Sequence, residues 1–99
     1  MASLRFLRRA EADLEEAVSW YEARSPQVAR RFEDAVTSAL DRLAGMPEMY
    51  ALVDDRHRLC PLRKSPYVLV YRYEAADDEV VVVAVVHTSQ DPPTWRSRV

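Results

Sequence analysis

The spacing of apolar residues divides the chain into a helical half and a strand-rich half. Ser3 to Leu7 alternates polar and apolar positions, which is the period of a short strand. From Arg9 onward the apolar residues recur at helical spacing, and the early acidic residues suit the N-terminal half of a helix that ends near Arg24. The acidic residues of this helix, Asp13 among them, are interpreted as a solvated face.

A second helix is expected almost immediately. Ser25 suits the N-cap, and Pro26 suits the first helical position because proline lacks an N–H that would be unsatisfied there. Gly45 is expected to be a left-handed C-cap residue, and Pro47 prevents the helix from resuming. With about two residues between them, the helices should fold back as an antiparallel hairpin. The apolar stripe of the second helix consists of Ala29, Phe32, Ala35, Val36, Ala39, Leu40 and Leu43.

Three strands are predicted in the second half of the chain. His57 to Leu62 contains Pro61, which places it at a sheet edge. Tyr67 to Tyr73 follows a turn at Ser65 and Pro66 and is rich in β-formers. Glu79 to Val86 is almost continuous valine, which is typical of a central strand covered on both faces. The prediction is one α+β domain over residues 1–99, ordered β-α-α-β-β-β, with the helix hairpin packed on a mainly antiparallel twisted sheet.

Composition narrows the class of protein. The chain has 99 residues, of which 48% are hydrophobic and 30% charged, with a formal net charge of -2. This excludes a disordered tail and gives no global attraction to nucleic acid or to an anionic membrane. The longest apolar run, Val80 to Val86, is far shorter than the ~20 residues of a membrane helix. Because Cys60 is the single cysteine, no intrachain disulfide can form, which fits a reducing compartment. We expect a cytoplasmic protein, and we expect no cofactor.

Basic and acidic residues occupy separate segments of the chain, which the net charge does not show. From Arg56 to Tyr73 there are five cations and no acid, whereas Glu74 to Glu79 holds four acids and no cation. Arginine and tyrosine together suit either a polyanion or a protein hot spot. The alternative is that the arginines pair with the acidic stretch across neighbouring strands.

Two other types of site have candidate residues in the sequence. His57 and Cys60 are three residues apart, but a structural zinc site needs four ligands, so a surface histidine and a strand cysteine are the simpler interpretation. Ser89 lies two residues from both His87 and Asp91, yet catalytic triads assemble in space and not in sequence. No hydrolase signature is present, and no metal site is expected.

Several motifs in order resemble the RelE/ParE superfamily of bacterial toxins. They are A-x-x-D-L-x-x-A-x-x-W-Y-E at Ala10–Glu22, A-x-x-F-x-x-A-V-x-x-A-L-x-x-L at Ala29–Leu43, P-Y-x-L-V-Y-R at Pro66–Arg72, V-x-A-V-x-H at Val82–His87 and D-P-x-x-W-x-x-R at Asp91–Arg98. Each motif is weak alone, but their order and spacing are specific. The resemblance implies the toxin component of a type II toxin–antitoxin system, with plasmid stabilisation as the associated role.

The superfamily divides by chemistry. RelE-like members cut ribosome-bound messenger RNA with Lys and Arg side chains and a stacking aromatic residue. The resemblance places the four basic positions of these nucleases near Leu59, Pro61, Val68 and Ser89, and the aromatic one at Trp95. None of these four positions holds a basic residue. The resemblance therefore favours ParE-like members, which poison DNA gyrase by contact.

The resulting hypothesis is a toxin that inhibits gyrase without being an enzyme and that a cognate antitoxin neutralises. Residues expected to contact the target are Arg63, Lys64, Arg72, Trp95, Arg96 and Arg98. The alternatives are a ribosome-dependent endoribonuclease with a displaced basic site, for which His87, Arg63 and Arg72 are weak catalytic candidates, and a non-toxic relic that binds its antitoxin.

Overall fold

Two helices and four strands form in the predicted order in a computed structural model, which describes residues 1–89. Their bounds are β1 (Ser3–Phe6), α1 (Arg8–Glu22), α2 (Pro26–Gly45), β2 (His57–Pro61), β3 (Tyr67–Glu74) and β4 (Glu79–His87). The expected α+β class is therefore confirmed. No helix within these residues is long and apolar enough to cross a membrane.

The strands form one mixed sheet in the order β1-β4-β3-β2. β1 pairs with β4 in parallel, whereas the β4–β3 and β3–β2 pairings are antiparallel. The central position of β4 and the edge position of β2, with its Pro61, are thus confirmed. The main core lies between the helices and one sheet face and includes Phe32, Val36, Leu43, Leu69, Tyr71 and Val82.

The two ends of α2 differ in how well the sequence predicted them. Ser25 is the N-cap, and its hydroxyl accepts a hydrogen bond from the Val28 N–H at 3.4 Å. The expectation of a left-handed Gly45 is wrong, because no glycine among the described residues has a positive φ and the helix runs through Gly45. The chain leaves the helix at Met46, which has a φ of -141°. Pro47 is the physical reason, since a proline forces the preceding residue out of the helical region.

A bulge changes the register of β4. Val70 is opposite Ala84 while Tyr71 is opposite Val82, so Val83 is an extra residue. β1 ends opposite Val82, and beyond that point Asp13 of α1 accepts a hydrogen bond from the Val85 N–H at 3.1 Å. The expectation that Asp13 belongs to a solvated face is therefore wrong, because its carboxylate completes the backbone pairing of β4.

Candidate functional site

Two of the predicted site residues lie together at the turn between β2 and β3. Arg63 and Lys64 are both exposed there, and Lys64 has a left-handed φ of 56°. The turn closes through the Leu62 N–H, which donates to the Tyr67 carbonyl at 3.2 Å, and through the Tyr67 N–H, which donates to the Ser65 hydroxyl at 3.1 Å. These bonds hold both cations at the rim of a groove.

The groove runs between this turn and the helix hairpin and encloses about 450 Å³. Its apolar lining comes from Tyr21, Val28, Phe32 and Ala35. Its charged lining residues are Arg31, Arg63, Lys64 and Asp34, three cations and one acid. The groove therefore suits an apolar segment that also carries carboxylates.

Next to the groove, the Tyr67 ring contacts aromatic rings of three other elements. The Tyr67 ring lies 5.4 Å from Phe32, 6.1 Å from Tyr21 and 5.2 Å from His87, measured between centroids. Burial, reinforced by Tyr21 and Glu16, raises the pKa of Tyr67. Tyr67 thus ties both helices to β3 and β4 at this end of the sheet.

Sequence reasoning missed Trp20 as a surface feature. Its side chain is 49% exposed, and the Arg24 guanidinium lies 3.4 Å from the ring centroid, where a cation–π interaction is favourable. The sequence does indicate this exposure, because Trp20 lies outside the apolar stripe of α1 to which Tyr21 belongs.

Arg72 lies far from Arg63 and Lys64. It is five residues along β3 from Tyr67, about 17 Å at the rise of an extended strand. Its Nε donates to Glu74 Oε1 at 2.6 Å, and Arg56 reaches the same oxygen at 3.3 Å. Hydrogen bonding by Arg72 lowers the pKa of Glu74. Arg56 and Arg72 thus pair with the acidic stretch, although Arg72 and Glu74 lie on the same strand and not on neighbouring ones. Arg5, outside the basic stretch, contacts Glu79 at 3.3 Å.

His87 lies at the end of β4. Its Nδ1 accepts a hydrogen bond from the Ser89 N–H at 3.0 Å and lies 2.6 Å from the Ser89 hydroxyl. The ring also stands edge-on to Tyr67. These contacts hold the His87 ring in place at the end of the strand.

The expectation that His57 lies at the surface is wrong. His57 is 2% exposed, and its Nδ1 lies 3.0 Å from Asp54 Oδ2. Asp54 also accepts hydrogen bonds from the Arg56 and His57 N–H groups, and the pKa of Asp54 is lowered by these bonds. Cys60 is fully buried, and burial raises the pKa of its thiol. Among residues 1–89, no three His, Cys, Asp or Glu side chains come together as a metal site.

Three of the positions that the resemblance assigns to basic residues of the nucleases share one surface. Pro61 is directly opposite Val68, and Leu59 is opposite Val70, on the sheet face away from the helices. Their packed neighbours are also apolar and include Val83, Ala84, Val86 and Leu7. A phosphate at this surface would meet no cation from these positions. Trp95, Arg96 and Arg98 lie outside the described residues.

Comparisons with known proteins agree with this architecture. The family profile described as the ParE toxin of a type II toxin–antitoxin system, parDE, matches residues 4–92. No curated protein sequence matches the chain.

Three solved structures illustrate the similarity in fold. A chain of the chromosomal ParDE system from P. aeruginosa superposes with a TM-score of 0.73 at 20% identity, covering 88% of this chain and 96% of that chain. A chain of the intact E. coli RelBE toxin–antitoxin complex gives 0.67 at 18% identity, covering 91% and 100%. A chain of the RelBE2 complex from Mycobacterium tuberculosis gives 0.62 at 22% identity, covering 90% and 93%.

Proposed function

Because this chain belongs to the ParE toxin family of type II toxin–antitoxin systems, we propose that it inhibits DNA gyrase by direct protein contact and that a cognate antitoxin neutralises it. The family membership supports the toxin role. The choice of gyrase over messenger RNA depends on the surface chemistry described above.

The apolar sheet face at Leu59, Pro61 and Val68 carries this choice. Cleaving RNA at a 2′-hydroxyl requires groups that move a proton and groups that stabilise charge on the phosphate. Valine, leucine and proline supply neither. Apolar surface of this kind is, however, suited to contact with another protein.

The basic residues named for a displaced nuclease site lie apart in the described part of the chain. Arg63 and Lys64 lie at the tip of the β2–β3 turn, whereas Arg72 lies on β3 about 17 Å beyond Tyr67 and is paired with Glu74. Side chains that stabilise one phosphate must converge within a few ångströms. This separation favours contact with a protein over catalysis.

In this proposal Arg63 and Lys64 contact the target, with Arg72, Trp95, Arg96 and Arg98 as further contact residues. The antitoxin covers the helix hairpin and the adjoining sheet. The groove of about 450 Å³ offers an apolar lining for such a segment, and its excess of cations favours carboxylates on the antitoxin.

Supercoiling and cleavage-complex assays with purified gyrase test the proposal. Wild-type toxin should reduce supercoiling or accumulate cleaved DNA. The double variant Arg63→Ala, Lys64→Gly should need about tenfold more protein for the same effect, since each lost charged contact contributes roughly 0.5–1 kcal/mol. Glycine is chosen at position 64 because it adopts the left-handed φ without strain.

Arg30→Ala is the matched control, since Arg30 is exposed on α2 and does not line the groove. Normal gyrase turnover with wild-type toxin in large excess would refute the proposal. Primer extension on ribosome-bound message then tests the nuclease alternative. Growth under induced expression, with and without the adjacent reading frame, tests for a non-toxic relic.

A further inference from the structure

The loop that joins α2 to β2, residues 46–56, exposes a group of large apolar side chains. Met46, Met49, Leu52 and Val53 are 61%, 42%, 50% and 39% exposed. They are half of the large apolar side chains that are exposed within residues 1–89. Single exposed apolar residues are normal, whereas a group of them in one segment marks a surface that contacts another molecule.

The backbone of this loop is fixed by side chains of β2 and β3. The Tyr71 hydroxyl donates to the Pro47 carbonyl at 2.9 Å, and Arg58 Nη1 donates to the Tyr50 carbonyl at 2.6 Å. Leu52 forms an antiparallel bridge with Arg58. Because the loop is already ordered, a partner that binds it loses little free energy in fixing its conformation.

A polar pocket of about 180 Å³ adjoins the apolar group. Besides Leu52, it is lined by three arginines and two acids, namely Arg56, Arg58, Arg72, Asp55 and Glu74. Arg56 and Arg72 share one oxygen of Glu74, at 3.3 and 2.6 Å. Within the described residues, this is the one hydrogen bond of the Arg56 guanidinium, whose side chain is 57% exposed. Its planar fork therefore remains open to a carboxylate from a partner.

The loop lies on a different part of the molecule from the groove. The α2 residues that line the groove end at Ser38, eight residues before Met46, which is about 12 Å at the helical rise. A segment that fills the groove therefore leaves the loop uncovered. The loop and the turn with Arg63 and Lys64 are instead joined by β2, which spans about 13 Å.

A second copy of the chain fits the loop poorly. Residues 46–53 are too few for an independent dimer interface, which takes about 20–30 residues on each side. The target of the toxin, in contrast, contacts Arg63 and Lys64 in the proposed function, so the loop would add to a contact that already exists. A protein bound along the β2 edge of the sheet reaches both ends of this strand.

We propose that the α2–β2 loop is a further contact surface for the target of the toxin, with apolar side chains of the target on Met49 and Leu52 and a carboxylate on Arg56. This inference rests on the proposed function, because the target is the occupant. It extends the contact along β2 from Arg63 and Lys64, and it leaves the loop exposed in the toxin–antitoxin complex.

Methionine oxidation tests the contact without any substitution. Hydrogen peroxide converts an exposed thioether to the sulfoxide, and the rate falls when a partner covers the side chain. With saturating gyrase, Met46 and Met49 should oxidise about threefold or more slowly than in free toxin. Met1, which is 94% exposed, is the internal control and should keep its rate. In the complex with the protein encoded by the adjacent reading frame, Met46 and Met49 should oxidise as in free toxin.

Two variants test the side chains. The double variant Met49→Ser, Leu52→Ser should need about tenfold more toxin for the same inhibition of supercoiling, since a few apolar anchors carry most of the binding free energy of an interface. Its unchanged binding to the antitoxin reports that it is folded. Arg56→Gln should lose about threefold at low salt and little at high salt, as expected of an exposed ion pair. The matched control Leu4→Ser, at a leucine that is 40% exposed on the opposite edge of the sheet, should inhibit as wild type.

The outcomes separate this proposal from the proposed function. Wild-type toxin that inhibits gyrase while Met46 and Met49 keep their full oxidation rate overturns the loop proposal alone, as does wild-type inhibition by the double variant. Protection by the antitoxin and not by gyrase would assign the loop to the antitoxin, and protection that rises with the concentration of toxin alone would assign it to a second copy. Either result overturns the proposal. Normal gyrase turnover with wild-type toxin in large excess overturns both.

Discussion

The carboxylate of Asp13 on α1 accepts a hydrogen bond from the backbone N–H of Val85 on β4, at 3.1 Å. Val85 is 4% exposed, and it lies beyond the end of β1, where no neighbouring strand continues the ladder among the described residues. The helix thus supplies the acceptor that the missing strand would have provided. This explains why an aspartate occurs in the A-x-x-D-L motif on an otherwise core-facing side of α1.

Replacing Asp13 with alanine should reduce the free energy of unfolding by about 1–3 kcal/mol, because a buried donor loses its acceptor. Asp13→Asn keeps an acceptor oxygen and should lose less. Urea unfolding of both variants measures the difference. Glu15→Ala, an exposed position on the same helix, serves as the control and should lie within about 0.5 kcal/mol of wild type.

Gly45→Ala should raise the stability by about 0.5–1 kcal/mol, since Gly45 is the last helical residue and alanine is the better helix former. No atom lies within 4 Å of the Cβ that the substitution would add. Thermal unfolding checks this outcome. A left-handed glycine would give the opposite sign, so a destabilised variant would contradict the helical conformation described here.

Tyr71 should make stability fall at high pH. It is fully buried, its hydroxyl donates to the Pro47 carbonyl at 2.9 Å, and burial raises the pKa of Tyr71 to about 12. Since the unfolded chain ionises near pH 10, the neutral phenol stabilises the fold fully below that pH. Stability should then decline between about pH 10 and 12, by an amount on the order of 2 kcal/mol.

Tyr71→Phe should flatten this alkaline decline while costing about 1 kcal/mol at neutral pH through the lost hydrogen bond. Urea unfolding at several pH values, with tyrosinate absorbance followed in parallel, measures both effects. An alkaline slope identical to wild type would show that other groups cause it.

Asp54 should govern part of the acid side of the stability profile. The pKa of Asp54 is lowered by hydrogen bonds from the Arg56 and His57 N–H groups and by the His57 ring. The stabilisation is therefore present above the pKa of the unfolded chain and is lost as the pH falls through the native value. Asp54→Asn should show a shallower loss of stability on acidification. Asp55→Asn, at the exposed neighbouring carboxylate, should follow the wild-type profile.

The sequence predicted which residues of the site are basic, but it did not predict how they are arranged in space. The sequence identified Arg63, Lys64 and Arg72 as one basic stretch, because proximity in sequence was all it could report. Extended strands carry residues apart at about 3.3 Å each, so Arg72 lies at the far end of β3 and bonds to Glu74. Arg63 and Lys64 meet α2 across a groove, which no local pattern predicted.

The sequence by itself determined the order of the elements through the apolar periodicity and through Ser25 and Pro26 at the start of α2. Pro61 identified the edge strand, and the valine run identified the central strand. These features are local, since a cap, a missing N–H or a buried alternation has the same effect in many folds. The parallel pairing of β1, the bulge at Val83, the burial of His57 and the bond from Val85 to Asp13 were decided by the tertiary structure. Each depends on which backbone groups remain unpaired once the strands have met, and that is a property of the assembled sheet and not of any segment of the chain.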